Sequence, residues 1–156
     1  WYDDIKKMPT SNIVIEHNVS RDFQDFVFWW GRDSGSRISK NTIIRTDFLE
    51  GMAADTVFVL DGLQKIDISE NIVVSRDGMR DPLFTGERAD SSEHTNNIYW
   101  NIGDGIVDLG VEMGPGEFTA DPQFIDFNGE DYGLLPGSPA EGLGAVINGS
   151  DGENDL

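Results

Sequence analysis

The chain has 156 residues, 38% of them hydrophobic, which suits one domain with a packed core. Acidic residues outnumber basic ones by 29 to 11, and the net charge of −18 predicts no nucleic-acid partner and no membrane insertion, because such a surface repels phosphates. The absence of cysteine excludes disulfides and thiolate metal sites.

A pattern recurs four times along the chain. In the first three copies, alternating apolar and polar residues lead into an Asn, and a second short apolar run follows; this alternation indicates a strand with one buried face. The copies span residues 12–21, 36–45, 65–76 and, more weakly, 94–100. Their Asn residues are Asn18, Asn41, Asn71 and Asn97, and the spacings of 23, 30 and 26 residues suit one solenoid coil per repeat.

A third strand is predicted in each coil, in segments 26–30, 56–60, 82–85 and 105–109. The Asn is expected at the corner between the first two strands, because Asn tolerates the left-handed conformation. Stacked coils would align the Asn residues in a ladder, each side chain bonding to the backbone of the next coil. A sandwich of antiparallel strands is the alternative, although it needs no Asn at the same place in each repeat.

The corners Glu16-His-Asn18, Ser39-Lys-Asn41 and Ser69-Glu-Asn71, with segments 120–126 and 131–140, resemble a known family. On these residues the chain resembles the pectin-lyase-like right-handed parallel β-helix proteins of bacteria. The resemblance implies an all-β fold, a right-handed single-stranded parallel β-helix (solenoid) of about four coils plus a C-terminal closing segment.

The resemblance covers roughly residues 12–144, the expected β-helix domain. Residues 1–11 are predicted to be an N-terminal cap or lead-in, and residues 145–156 an acidic, disordered tail. The chain starts at Trp1 without a signal-peptide pattern, and members of the family usually carry more coils. We therefore expect a piece of a longer protein, with the missing N-terminal coils or another chain covering the open coil end.

The resemblance further implies an extracellular or cell-surface protein that acts on a polysaccharide or oligosaccharide, as a hydrolase or a lyase. A non-catalytic binding or surface-stalk module is the alternative. In β-helix enzymes the cleft tends to lie over the third strand. There Asp33, Asp61 and Glu87 are the candidate catalytic residues, because carboxylates in adjacent coils would lie about 5 Å apart, as retaining glycosidases require, whereas inverting ones need about 6.5–9.5 Å. Solvated turn carboxylates are the other interpretation.

Basic and aromatic residues supply the candidate binding groups. Arg21, Arg45 and Arg76 each follow the post-Asn strand and are predicted to stack in a column that clamps sugar carboxylates, or else to neutralise neighbouring Asp residues. Arg32 and Arg88 lie at the ends of third strands.

Two adjacent tryptophans, Trp29 and Trp30, cannot both face the interior of a strand pair, because neighbouring side chains on a strand point to opposite sides. One of them is predicted to point outward and stack on a sugar ring. An aromatic core stack, with one ring packed under a loop, is the alternative.

The segment from Asp77 to Asp81 is a turn rich in oxygen ligands, and these two carboxylates are the candidate ligands for Ca²⁺. The segment does not match the EF-hand loop or the glycine-rich repeat of calcium-binding solenoids. Calcium is therefore the one cofactor that the sequence suggests.

Overall fold

The chain is an all-β structure, as predicted. A computed structural model describes residues 9–22, 25–46, 56–63, 65–76, 78–79, 81–103 and 106–145. A 3-10 helix of three residues covers Ala89–Ser91. The strands are β1 (Pro9–Ser11), β2 (Val14–Glu16), β3 (Val19–Arg21), β4 (Val27–Ser34), β5 (Ser36–Ser39), β6 (Thr42–Ile44), β7 (Phe58–Leu63), β8 (Ile66–Ser69), β9 (Ile72–Ser75), β10 (Phe84–Thr85), β11 (Glu93–Thr95), β12 (Ile98–Asn101), β13 (Phe118–Thr119), β14 (Phe124–Asp126) and β15 (Asp131–Leu134).

The strands form three parallel sheets and one antiparallel pair. Sheet A has the order β1-β4-β7-β10, sheet B the order β2-β5-β8-β11 and sheet C the order β3-β6-β9-β12-β13, while β14 pairs with β15. From β1 to β12, successive strands visit sheets A, B and C in turn, and one such passage is called a repeat. This architecture is compatible with a parallel β-helix. The antiparallel sandwich is wrong, because all pairs within the three sheets are parallel.

The lead-in and tail predictions fall largely on residues outside the described ranges. Residues 1–8 and 146–156 are not described. Residues Pro9–Ser11 form β1 and pair with β4, so this part of the predicted lead-in belongs to sheet A.

The repeated Asn residues form a hydrogen-bonded ladder between repeats, as predicted. The backbone N–H and Nδ2 of Asn18 donate to Oδ1 of Asn41, at 3.1 and 3.0 Å. Asn41 donates in the same way to Asn71, and Asn71 to Asn97. Burying an amide without a partner is costly, and here the next repeat supplies the partner.

The left-handed corner residue is the one before each Asn, so the prediction that Asn itself takes this conformation is wrong. Positive φ angles of 56°, 53°, 57° and 54° occur at His17, Lys40, Glu70 and Asn96. The preceding residue makes the turn, and the Asn side chain that follows can then enter the interior. The side-chain amide of the Asn makes the hydrogen bonds of the ladder and does not form the corner.

The ladder continues to a fifth position, which is occupied by a carboxylate. Phe118 of β13 aligns with Ile98 of β12, so Glu117 occupies the place one repeat after Asn97. Gly116, with a φ of 74°, takes the left-handed place before it. The sequence pattern missed this position because the residue is Glu and not Asn.

Glu117 is buried and surrounded by donors. Its Oε1 accepts hydrogen bonds from Asn97 Nδ2 and Tyr99 OH. Its Oε2 accepts the Gly114 N–H and lies 2.8 Å from His94 Nδ1. Burial alone would raise the pKa of Glu117, but these hydrogen bonds outweigh burial and hold the pKa below its ordinary value of 4.5. An ionised carboxylate accepts hydrogen bonds and donates none, which suits the last member of a ladder.

The final repeat is covered by a partial fifth passage through the three sheets. Leu83 and Phe84 donate backbone hydrogen bonds to Asp108 and Leu109, on the sheet A side. On the sheet B side Asn96 donates to the carbonyl of Pro115, and β13 completes sheet C. The third strand predicted for the fourth coil, at 105–109, does not form among its described residues. Asp108 and Leu109 instead accept backbone hydrogen bonds at the start of β10.

Two hydrophobic cores lie on opposite faces of sheet C. The interior core, between the sheets, includes Ile38, Ile43, Phe58, Ile68 and Val73. The second core packs residues of the segment 120–145 against the outer face of sheet C, with Phe124 and Tyr132 among them. Strands buried on both faces have continuous apolar sequences, which explains the fully buried runs of β6 and β9. The C-terminal closing segment thus lies along sheet C.

We predict that Asn41→Ala destabilises the chain by roughly 1–3 kcal/mol, because Asn18 and Asn71 lose their partner inside the fold. Chemical denaturation measures this free energy of unfolding. Asn128→Ala, at an exposed turn residue, is the matched control and should change it by less than about 0.5 kcal/mol. Equal midpoints for Asn41→Ala and wild type would contradict the ladder.

We predict that Glu117→Gln destabilises the chain by about 1–3 kcal/mol near neutral pH, because the new amide group faces donors. A carboxyl group with a lowered folded-state pKa stabilises the fold above its unfolded pKa, and this contribution is lost as the pH falls through the folded pKa. The difference between wild type and variant should therefore shrink on acidification below 4.5. Denaturation at several pH values measures it, and a constant difference would contradict the role of the charge.

Candidate functional site

The outward face of sheet A combines aromatic and acidic side chains. In β4 the side chains of Val27 and Trp29 face the interior, while Phe28 and Trp30 alternate with them on the outer side. Phe28 aligns with Val59 of β7, and Val59 with Thr85 of β10. The outer face therefore runs across three repeats, with β4 contributing its aromatic end.

One tryptophan points inward and its neighbour outward, as predicted. Trp29 is 8% exposed and belongs to the interior core. Trp30 is partly exposed, and its ring lies 4.8 Å from the ring of Phe28 at an interplanar angle of 71°. Phe28 is 52% exposed, so an aromatic edge reaches the surface. Phe28 was not among the predicted binding residues, although it lies two residues before Trp30 in the same strand and therefore shares its face.

Asp61 is fixed between Trp30 and Glu87. It aligns with Trp30 in the pairing of β4 with β7. Its Oδ2 accepts the indole N–H of Trp30 at 2.7 Å, and its Oδ1 accepts the backbone N–H of Glu87 at 2.8 Å. The backbone of Glu87 therefore lies beside the carboxylate of Asp61, while the pairing of the two carboxylates stays a prediction. Asp61 holds the orientation of the indole ring and of the chain after β10.

The predicted pairing of Asp33 with Asp61 is wrong. Asp33 aligns with Thr10 of β1, three residues beyond the position that aligns with Asp61. At a rise of about 3.3 Å per residue this offset corresponds to roughly 10 Å along the strands. Both residues follow the apolar part of their strands, but β4 continues to Ser34, and the register separates them.

The predicted arginine column does not form, because its members are staggered. Arg21 aligns with Ile44, and Ile44 with Val74. Arg45 comes one residue after this position and Arg76 two residues after it, so the three do not stack. Arg45 is also only 1% exposed, which removes it from any surface available to a large ligand.

The remaining arginines divide between structural and exposed positions. Arg21 bonds to Asp22 at 3.0 Å and to the hydroxyl of Tyr132 at 2.9 Å, which ties β3 to the C-terminal segment. The alternative interpretation, local neutralisation, therefore holds for Arg21. Arg32 and Arg88 are exposed, in β4 two residues after Trp30 and in the chain after β10, respectively.

A cavity of about 170 Å³ lies among the loops that lead from sheet C to sheet A. Its lining includes the polar residues Arg76, Asp81, Asn101 and Asp108, with Met79, Leu83 and Ile106 among the apolar ones. It is smaller than the roughly 300–1,000 Å³ clefts that enclose drug-sized ligands.

Asp25 has a shifted pKa and interacts with Asp81, which lines this cavity. Burial raises the pKa of Asp25, the nearby Arg45 opposes the rise, and the charge of Asp81 adds to it. One carboxyl oxygen of Asp25 is buried without a hydrogen-bond partner. Asp25 was not among the predicted site residues, because its burial and its approach to Asp81 both depend on the folded positions of loops.

The calcium prediction is not decided by the structure. Asp77 lies outside the described residues, while Asp81 lines the cavity. Within the ranges that the structure describes, no group of three or more His, Asp or Glu residues is placed to hold a metal ion.

Comparison of the chain with protein-family models, with curated proteins and with solved structures found no match. Among the described residues, no helix has the length and apolar character needed to cross a membrane.

We predict that Asp61→Asn loosens Trp30 and lowers the free energy of unfolding by about 1–3 kcal/mol, because one of the two donors would face an amide N–H₂. Tryptophan fluorescence and near-ultraviolet circular dichroism should both change. Asp67→Asn, at an exposed carboxylate of β8, is the control and should leave both spectra unchanged. Unchanged spectra in Asp61→Asn would contradict the assigned contact.

Proposed function

We propose that the chain is part of a right-handed parallel β-helix of the pectin-lyase-like kind, and that it acts on an extracellular polysaccharide as a hydrolase or a lyase. The regular passage through three parallel sheets and the Asn ladder support the fold. The outward face of sheet A supports the substrate class, since it is long, crosses several repeats and carries groups suited to sugars.

The exposed pair of Phe28 and Trp30 beside Asp61 and Glu87 is the observation that carries the proposal. A sugar ring has apolar C–H faces that pack on aromatic rings, and hydroxyl groups that donate to carboxylates. Trp30 is held by Asp61 before any ligand arrives, so its orientation costs little on binding. Arg32 and Arg88 would favour a saccharide that carries carboxylates.

Two sets of carboxylates are available for chemistry. Glu87 is exposed beside the aromatic pair, and Asp61 anchors that arrangement. Asp25, with its raised pKa, and Asp81 lie on the loop side and form the second set. A general acid needs a raised pKa, so Asp25 is the better candidate acid.

A non-catalytic binding module is the second candidate function. It is favoured by the hydrogen bonds of Asp61, because both of its carboxylate oxygens already accept donors within the chain. On this alternative, Asp61 and Glu87 shape a surface and perform no reaction. The two candidates share the same binding face and differ in whether bonds are cleaved.

A panel of neutral and uronic-acid polysaccharides tests the proposal, with affinity electrophoresis for binding and assays for new reducing ends and for ultraviolet-absorbing unsaturated products. Reducing ends alone would indicate hydrolysis, and unsaturated products would indicate elimination. Binding without products would favour the binding module. A folded sample that neither binds nor cleaves any member of the panel would refute both.

We predict that Phe28→Ala weakens polysaccharide binding by about tenfold or more, through loss of one stacking surface, while the melting temperature changes little because the ring is exposed. Phe118→Ala, at a partly exposed ring of β13 away from sheet A, is the matched control and should bind normally.

For a cleaving enzyme, we predict that Asp25→Asn lowers the rate by about a hundredfold or more and leaves binding intact, because the amide cannot act as an acid. Initial rates and affinity electrophoresis on the same polysaccharide measure the two effects. Full activity in Asp25→Asn, with activity lost in Glu87→Gln, would transfer the acid role to the sheet A face.

A further inference from the structure

The two ends of the stacked sheets differ in their hydrogen bonding. At one end, β10, β11 and β12 are covered by residues 106–119, and Glu117 terminates the ladder. At the other end, β1, β2 and β3 are the outermost of the described strands in their sheets. Ile13 and Val14 are 40% and 50% exposed there, so this edge presents apolar side chains together with its outer backbone groups.

The ladder determines which hydrogen-bond donors would fit this edge. Each later Asn in the ladder uses Oδ1 to accept two N–H groups from the Asn one repeat earlier. Asn18 is the first member and is exposed. Among the described residues no donor reaches its Oδ1, whereas its Nδ2 is bonded to Asn41 and to the carbonyl of Glu16. A backbone N–H and an amide N–H₂ in parallel register would therefore extend the ladder at this edge.

A second copy of the chain does not supply these donors in either orientation. Two copies joined edge to edge would place one Asn18 acceptor against the other. Joined edge to covered end, they would place Asn18 against Glu117, which as a carboxylate has no N–H to offer. The matching group is an Asn that follows a left-handed corner residue between two strands, as found four times in this chain.

We propose that the edge formed by β1, β2 and β3 is a docking surface for a polypeptide segment of the form strand–corner–Asn–strand. The segment adds in parallel register, its two strands extend sheets B and C, and its Asn donates to Oδ1 of Asn18. Main-chain hydrogen bonds at a sheet edge supply affinity, and the Asn supplies register. This inference rests on the fold and is independent of the proposed activity.

The test uses a synthetic peptide with the sequence of residues 36–46, which contains one corner and its Asn, titrated into the isotope-labelled full chain and followed by NMR. We expect saturable shifts confined to residues 13–21. The same peptide with Leu in place of its Asn should bind about tenfold more weakly, because two hydrogen bonds to Asn18 are lost. The Asn18→Leu chain should show the same loss, and Asn128→Leu should not.

Equal binding of the two peptides, or shifts away from residues 13–21, would overturn the proposal. Shifts of residues 13–21 that depend on protein concentration without peptide, with a dimer in sedimentation, would make a second copy the occupant and overturn it. No binding to the full chain, with binding after removal of residues 1–8, would make those residues the occupant and also overturn it. The peptide comparison needs no altered protein, so it stands even if Asn18→Leu fails to fold.

Discussion

The buried amide ladder is the constraint on which the rest of the structure depends. A buried amide is tolerated only when its donors and acceptor are satisfied, and the buried Asn41, Asn71 and Asn97 are satisfied by hydrogen bonds to neighbouring repeats. One repeat cannot therefore be completed alone. The same bonds fix the parallel register, because backbone N–H and Nδ2 must meet one oxygen. Glu117 completes the series by accepting bonds without requiring a further partner.

The C-terminal segment covers the outer face of sheet C and leaves the outer face of sheet A exposed. Segment 120–145 packs on sheet C, and Thr42 exchanges two hydrogen bonds with the backbone of Ala145. Arg21 and Tyr132 connect the first repeat to the same segment. With this face closed, the outward side of sheet A keeps its aromatic and acidic residues accessible across several repeats.

Features that recur in each repeat could be predicted from the sequence. Features that depend on strand register or on a substituted residue type could not. The four Asn positions and the strands on either side of them could be predicted, because the same local pattern recurs. The left-handed corner was displaced by one residue, since Asn tolerates that conformation but is used here for the ladder. Glu117 was missed because it satisfies the same acceptor role with a different residue type.

The residues of the candidate site also divide into those that could be predicted from local sequence and those that could not. The outward direction of one tryptophan follows from strand alternation and was predicted. The pairing of Asp33 with Asp61 and the stacking of three arginines required the strand lengths and the register, which variable loops between the repeats hide from the sequence. The raised pKa of Asp25 comes first from burial and then from the charge of Asp81 on a different loop, and neither cause can be identified from a local sequence pattern.

Native-state hydrogen exchange of the Asn side-chain and backbone amides tests the central claim most directly. If the ladder couples the repeats, the amides of Asn41, Asn71 and Asn97 exchange through global unfolding, with one common free energy and the highest protection in the chain. Exchange of these amides at separate, low free energies, one repeat at a time, would contradict the account.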